Sequence, residues 1–299
     1  MVAVLQTEGL TKHFGAFKAV QDLNLEVQEG DLYGFLGPNG SGKTTTMRMI
    51  LRLIRATAGR VRLFGMDVES EFIRIMKDVG ALVELPAYYP YLSAVKNLEI
   101  LRLASGATPA SRIPEVLETV GLAPRMHDRV GTYSQGMRQR LGIAMALLTK
   151  PRLVFLDEPT NGLDPHGINH IRGVIQELNR RDGVTFVISS HLLHEVELTC
   201  NRVGMIKQGK LLVQDKLDAI IARTIDGLRI VCAPREKALG LLGSQPWIKE
   251  TRVEPAGSVR VICPAERFAD VNGLLVSNGV TVSELTPARK TLEEFFLSQ

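Results

Sequence analysis

The sequence is short of the features that mark several functional classes. It holds three cysteines in 299 residues, Cys200, Cys232 and Cys263, odd in number and with no C-x-x-C pair. That excludes a disulfide framework or zinc ribbon and suits a reducing cytoplasm. No apolar run nears the ~20 residues that span a bilayer; the run near the middle, Leu141 to Leu148, has Gly142 inside it. The opening Met-Val-Ala-Val-Leu-Gln-Thr-Glu lacks a basic segment and meets an acid early, so no secretory leader is expected. Net charge is small: 36 Lys plus Arg against 32 Asp plus Glu give +4. Both signs are interspersed, and clusters such as Arg138-Gln-Arg140 and Arg180-Arg181 read as solvated helix faces, not as a nucleic-acid-binding stripe. Neither a repeat period nor a low-complexity tract is present.

What remains is an ordinary soluble globular composition, 45% hydrophobic and 23% charged. The length fits one large domain with a smaller companion. Val2 to Leu10 and Lys18 to Val27 alternate like strands, and Leu32 to Leu36 reads as a short buried strand entering a Gly-rich loop. Thr44 to Ile54 has helical spacing. Residues 70 to 150 are expected to be mainly helical, with helices at Ala94 to Leu103, Ile113 to Val120 and Gln135 to Leu148. Leu153 to Leu156 and Thr185 to Ile188 read as central parallel strands, flanking a helix at His170 to Arg180.

Near residue 215 the pattern changes. Strands are expected at Gly227 to Ala233, Ile248 to Glu254, Val259 to Cys263 and Val280 to Leu285. Helices are expected at Glu236 to Leu242, Ala265 to Ser277 and Leu292 to Leu297. The β-α-β-β-α-β order is the ferredoxin-like split arrangement.

Two short motifs carry chemistry. Gly37-Pro38-Asn39-Gly40-Ser41-Gly42-Lys43-Thr44 fits G-x-x-x-x-G-K-[ST], between an expected strand and an expected helix. Its glycines let backbone N–H groups turn toward phosphate oxygens, and the helix N-terminus adds a positive dipole end. Lys43 supplies a point charge for the β- and γ-phosphates, and the Thr44 hydroxyl is placed to ligate Mg²⁺. The second motif, Leu153 to Glu158, is an apolar strand ending in two carboxylates. Asp157 can hold Mg²⁺, and Glu158 can take a proton from attacking water.

Together with three further segments, these motifs resemble the nucleotide-binding subunit of ATP-binding cassette transporters over roughly residues 3 to 220. Tyr133-Ser134-Gln135-Gly136-Met137-Arg-Gln-Arg140 resembles the Leu-Ser-Gly-Gly-Gln signature, Asn161-Gly-Leu163-Asp164 the D-loop, and Ser189-Ser-His191 the switch histidine. Phe14 falls at the aromatic that stacks on adenine. The resemblance implies an α/β P-loop NTPase fold: a RecA-like core, a helical subdomain at about 85–150 and an antiparallel β subdomain. It implies a cassette domain at 1–220, followed by the ferredoxin-like domain at 221–299. Nucleotide contacts are implied at Phe14, at Gly37 through Thr44 with Thr45, and at Ser134, Gln135, Gly136 and Asp164. Catalytic roles are implied for Lys43, Glu158 and His191.

In this scheme one copy does not close its own site. Ser134, Gly136 and the following helix start of a second copy supply donors on the far side of the γ-phosphate. The implied partners are a second nucleotide-binding subunit, in a homodimer, and an integral membrane permease. The implied location is the cytoplasm, peripheral at the inner face of the membrane.

Two departures narrow the branch. Where the family has Gln after a strand resembling Val79 to Val83, this chain has Glu84, a possible Mg²⁺ ligand that has no hydrogen to donate when ionised. Peptide-antibiotic exporters resemble it in carrying Glu there. The Ser-x-Gly-Met form of the signature resembles drug, antibiotic and polysaccharide exporters. Tyr88, Tyr89 and Tyr91 follow in a Pro-bounded loop that the resemblance assigns to permease docking. Thr286-Pro-Ala-Arg-Lys-Thr-Leu-Glu-Glu-Phe-Phe-Leu resembles the exporter ATPase tail. The competing classes are a soluble cassette ATPase acting on nucleic acid or ribosomes and a non-catalytic nucleotide switch. The first would show two cassettes, a zinc or coiled-coil insertion, or a charged linker; the second would lack the base at Glu158.

Overall fold

The structure, a computed structural model, describes residues 2–106, 108–255 and 257–289. It divides into two compact units, Met1–Leu217 and Asp218–Gln299.

The first unit opens with β1 (Ala3–Phe14), β2 (Phe17–Leu23), β3 (Glu26–Gln28) and β4 (Leu32–Leu36). Next come α1 (Lys43–Ile50), β5 (Ala58–Leu63), β6 (Met66–Asp67), α2 (Phe72–Met76) and β7 (Val79–Leu82). Three helices follow: α3 (Ala94–Ser105), α4 (Arg112–Thr119) and α5 (Gln135–Leu147). Strand and helix then alternate through β8 (Leu153–Asp157), α6 (Pro165–Asp182), β9 (Thr185–Ser190) and α7 (Leu193–Thr199). The hairpin β10 (Arg202–Lys207) and β11 (Lys210–Lys216) ends the unit, and α8 (Leu217–Thr224) begins at the division.

The central sheet has the order β11-β10-β4-β9-β8-β7. Five of its strands run parallel, and only β11 is antiparallel. Every residue of β4, β8 and β9 is buried, so these strands are covered on both faces and read as unbroken apolar runs. Phe35, Phe155, Met47 and Ile50 pack in one core beside this sheet, each burial stabilising by about 1.5–3 kcal/mol. Register aligns Leu36 with Ser190, Asp157 with Ser189, and Leu82 with Leu156. The C-terminal ends of four parallel strands therefore open on one edge, where α/β sheets bind ligands.

Several boundaries differ from the periodicity. The expected strand Lys18 to Val27 is broken into β2 and β3, because Asp22 lies at φ 49° and Asn24 bonds back to its carbonyl at 2.9 Å. The stretch 70–93, expected to be mainly helical, holds one five-residue helix and β7; helix begins in earnest at Ala94, capped by Ser93. Helix α6 starts five residues before the expected His170. Asp164 accepts the Gly167 N–H at 2.7 Å and Pro165 occupies the first turn, where its missing N–H costs nothing.

The second unit consists of β12 (Ile225–Ala233), α9 (Arg235–Gly243), β13 (Glu250–Val253), β14 (Val259–Ile262), α10 (Phe268–Ser277) and β15 (Thr281–Arg289). Its antiparallel sheet has the order β13-β14-β12-β15, the split arrangement that the element order implies. Leu228, Ile230, Val259 and Val261 of the sheet pack against Ala238 and Leu242 of α9 and Val271 and Leu275 of α10. The expected helix at Leu292 to Leu297 lies outside the described residues.

Candidate functional site

The Gly-rich loop leaves β4 at the sheet edge and enters α1. Two of its glycines are dictated by crowding. A Cβ on Gly37 would lie 2.3 Å from the Ile206 carbonyl, and Gly42 sits at φ 109° with the Ala19 carbonyl 2.7 Å from any Cβ. Gly42 also precedes the first residue of α1, so the helix starts with its unpaired N–H groups at the loop. Ser41 carries a buried hydroxyl with no partner among the described residues. Lys43, only 6% exposed, donates from Nζ to the carbonyls of Gly37 at 2.7 Å and Pro38 at 3.3 Å.

The carboxylate pair meets this loop directly. The Thr44 hydroxyl donates to Asp157 Oδ2 at 2.8 Å, and the Ser189 hydroxyl donates to Asp157 Oδ1. Just past the strand, Glu158 takes a left-handed conformation at φ 48°. Its backbone N–H donates to Ser189 Oγ at 3.0 Å. Its carboxylate lies between two cations or donors: Lys43 Nζ is 3.4 Å from Oε1, and His191 Nδ1 is 2.7 Å from Oε2. An ionised carboxylate only accepts, so the His191 proton in this contact is on Nδ1. Lys43, Thr44, Asp157, Glu158 and His191 thus form one contact network.

These residues fit Mg²⁺ and a triphosphate. The Thr44 hydroxyl and Asp157 carboxylate are hard oxygen donors side by side, the small set that Mg²⁺ takes when phosphates and water complete its shell. Within the Gly-rich loop, Ser41 offers a buried hydroxyl that has no partner among the described residues, and Lys43 a buried charge at the start of α1. Phe14 ends β1, half exposed, with Lys12 Nζ 4.9 Å from its ring centroid. It pairs with Phe17 at the tip of the β1–β2 hairpin, whose Ala19 abuts Gly42.

The signature residues form a second group. Ser134 caps α5, its hydroxyl accepting the Met137 N–H at 3.3 Å, which leaves the hydroxyl hydrogen available to a ligand. Gln135 packs on Gly162, and Gly136 lies close to Leu163, so the signature and the loop 161–164 support each other. Asp164 is committed to capping α6. Among the described residues, no hydrogen bond or ion pair joins Ser134, Gln135, Gly136 or Asp164 to the Gly37–Thr45 loop.

Glu84 follows β7 at φ 65° and makes an ion pair with Arg48 of α1, not with Thr44 or Asp157. The tyrosine loop is pinned from beneath: buried Asn97 accepts the Tyr89 N–H at 2.7 Å and donates to its carbonyl at 3.1 Å. Tyr89 and Tyr91 stay exposed, their rings 5.8 Å apart. Sequence reasoning missed Ser189, Asn97 and Arg48 as site residues. The pair Ser189-Ser190 at the end of an apolar strand was a usable signal for the first; the others depend on contacts remote in sequence.

Residues 20–161 match the family model described as ABC transporter, and residues 128–197 match one described as AAA domain, putative AbiEii toxin, Type IV TA system. The chain is 41% identical over 297 residues to the bacitracin transport ATP-binding protein BcrA of Bacillus licheniformis, spanning 99% of this chain and 97% of that protein. It is 35% identical over 215 residues to the lantibiotic transport ATP-binding protein SrtF of Streptococcus pyogenes, spanning 72% of this chain and 92% of the relative. Its structure is similar to a dimeric post-hydrolysis state of the ATP-binding cassette MJ0796 bound to ADP and Pi, with a TM-score of 0.66 and 26% identity. That likeness covers 71% of this chain and 98% of the other.

Proposed function

Because this chain belongs to the ABC transporter family, as one of its ATP-binding subunits, we propose that it binds and hydrolyses ATP to power a separately encoded membrane permease exporting a drug or peptide antibiotic. One observation carries the catalytic reading: Lys43, Thr44, Asp157, Glu158 and His191 meet in a single contact network at the C-terminal edge of the sheet. The relatives named for bacitracin and lantibiotic transport support the exporter branch. An ATPase acting on nucleic acid or ribosomes finds no support among them.

In this reading the loop N–H groups, Ser41 and Lys43 bind the phosphates, while Phe14 offers an exposed ring for the adenine. Thr44 and Asp157 would hold Mg²⁺, which offsets charge on the phosphate oxygens as the terminal group transfers. Glu158 accepts a proton from the attacking water, whose oxygen forms the new bond to the γ-phosphorus as the bond to the ADP oxygen breaks. Ser189 fixes both carboxylates, through the Asp157 side chain and the Glu158 N–H. His191 donates a hydrogen bond from its Nδ1–H to the Glu158 carboxylate and keeps that proton, so it donates to a phosphate oxygen only by turning or by gaining a second proton.

The signature group belongs to the partner's site. Ser134 keeps a free hydroxyl hydrogen at the start of α5, whose helix dipole favours an anion there. Two copies of this chain would therefore enclose two ATP molecules, each copy completing the other's pocket. No described helix is long and apolar enough to cross a membrane; the relatives named as transport ATP-binding proteins support a membrane permease as the partner. The exposed Tyr89–Tyr91 pair, held by Asn97, is the proposed docking point at the cytoplasmic face.

The purified chain should release phosphate from ATP when Mg²⁺ is present. Once reconstituted with its permease in vesicles, Tyr89→Ala should lose stimulation of turnover while retaining ATP binding. Stimulation unchanged from the parent chain would remove the docking assignment.

A further inference from the structure

Glu84 presents an electrostatic difficulty. Strand β7 pairs with β8 so that Leu82 stands opposite Leu156. Glu84 lies two residues beyond Leu82, on the segment that leaves β7 at the sheet edge where Asp157 ends β8. A third carboxylate is thus set at the rim of a site meant for a polyanion, where a neutral amide is usual in the family. An uncompensated negative charge there repels both phosphates and carboxylates.

The chain carries a counter-charge for it. Arg48 lies four residues after Thr44 on α1, one turn along the same helix face. Its guanidinium Nη2 contacts Glu84 Oε1, tying the phosphate-binding helix to the loop that leaves β7. The loop turns at Glu84 itself, where the backbone is left-handed at φ 65°. A few residues later that loop becomes the Tyr89–Tyr91 segment.

We propose that Arg48 is the positioning residue for Glu84: it neutralises the carboxylate and holds it at the rim, making glutamate compatible with triphosphate binding. The inference rests on the ATP-binding reading above. Arg48 also has an ordinary structural value, as a cation in the last turn of α1 opposite the helix dipole. That value does not depend on what stands at position 84, and this separates the two roles.

The test is a double-mutant cycle on the full chain, read as ATP affinity by titration calorimetry, with Mg²⁺ and again in EDTA. Arg48→Gln should weaken ATP binding about three- to tenfold, because it leaves one carboxylate at the rim without its counter-charge in a partly solvated medium. Adding Glu84→Gln to Arg48→Gln should recover most of that loss. Arg48→Lys, which keeps the charge, should stay within about twofold of the parent chain, and the Arg48→Gln loss should shrink at high salt. An equal loss with Glu or Gln at position 84 would overturn the proposal, as would Arg48→Lys behaving like Arg48→Gln. A parent chain that binds no ATP would instead refute the functional reading, visible in that arm alone.

Discussion

The two units of this chain put different demands on their sequences. In Met1–Leu217 the strand ends, the Gly37–Thr44 loop and five polar side chains must meet within hydrogen-bond distance, so residue identity is fixed at many positions. A Cβ at Gly37 or Gly42 collides with a backbone carbonyl, and Asp157 is held from both sides by Thr44 and Ser189. In Asp218–Gln299 the requirement is a packed interior: two helices against one face of a four-stranded antiparallel sheet, with Leu228, Val261, Val271 and Leu275 fully enclosed. Many apolar residues of similar volume satisfy that requirement. The first unit announces its chemistry, whereas the second announces only its fold.

That contrast can be broken by substitution. Glu158→Gln removes the proton acceptor but keeps the shape, and should lower ATP turnover about 10²- to 10⁴-fold while leaving ATP bound. Turnover within threefold of the parent would remove Glu158 from its role. In the second unit, Leu275→Ala should cost about 2–5 kcal/mol in a denaturation experiment, with ATP affinity unaltered. A change in affinity matching the change in stability would erase the distinction between the units. The smallest effect touches no activity. Burial pushes the Cys200 thiol of the first unit up to about 12, so it stays neutral at pH 8 and should resist alkylation in the native chain. The half-buried Cys232 of the second unit should be modified first, as mass spectrometry of cleaved peptides would show.

The parts legible in the sequence share one physical property: a local pattern suffices to specify them. Strands β4, β8 and β9 are covered on both faces, so they appear as bare apolar runs. The loop before α1 is dictated by phosphate geometry within eight residues. By contrast, β5 has three exposed residues in a row and pairs with β1 across about fifty positions, so no alternation reveals it. The hairpin β10–β11 turns at Gln208-Gly209, both at positive φ, a turn the residues permit without advertising. The ion pair of Arg48 with Glu84 and the clamp of Asn97 on Tyr89 are set by tertiary approach. Sequence spacing gives no warning of either.

The central claim is that two copies of this chain share two nucleotides. Its most direct measurement is the solution mass of Glu158→Gln by light scattering, with Mg²⁺ and ATP and without nucleotide. The account predicts a mass near 33 kDa without nucleotide, doubling when ATP is added, and no doubling once Ser134→Arg is introduced as well. An ATP-loaded species that remains near 33 kDa would contradict it.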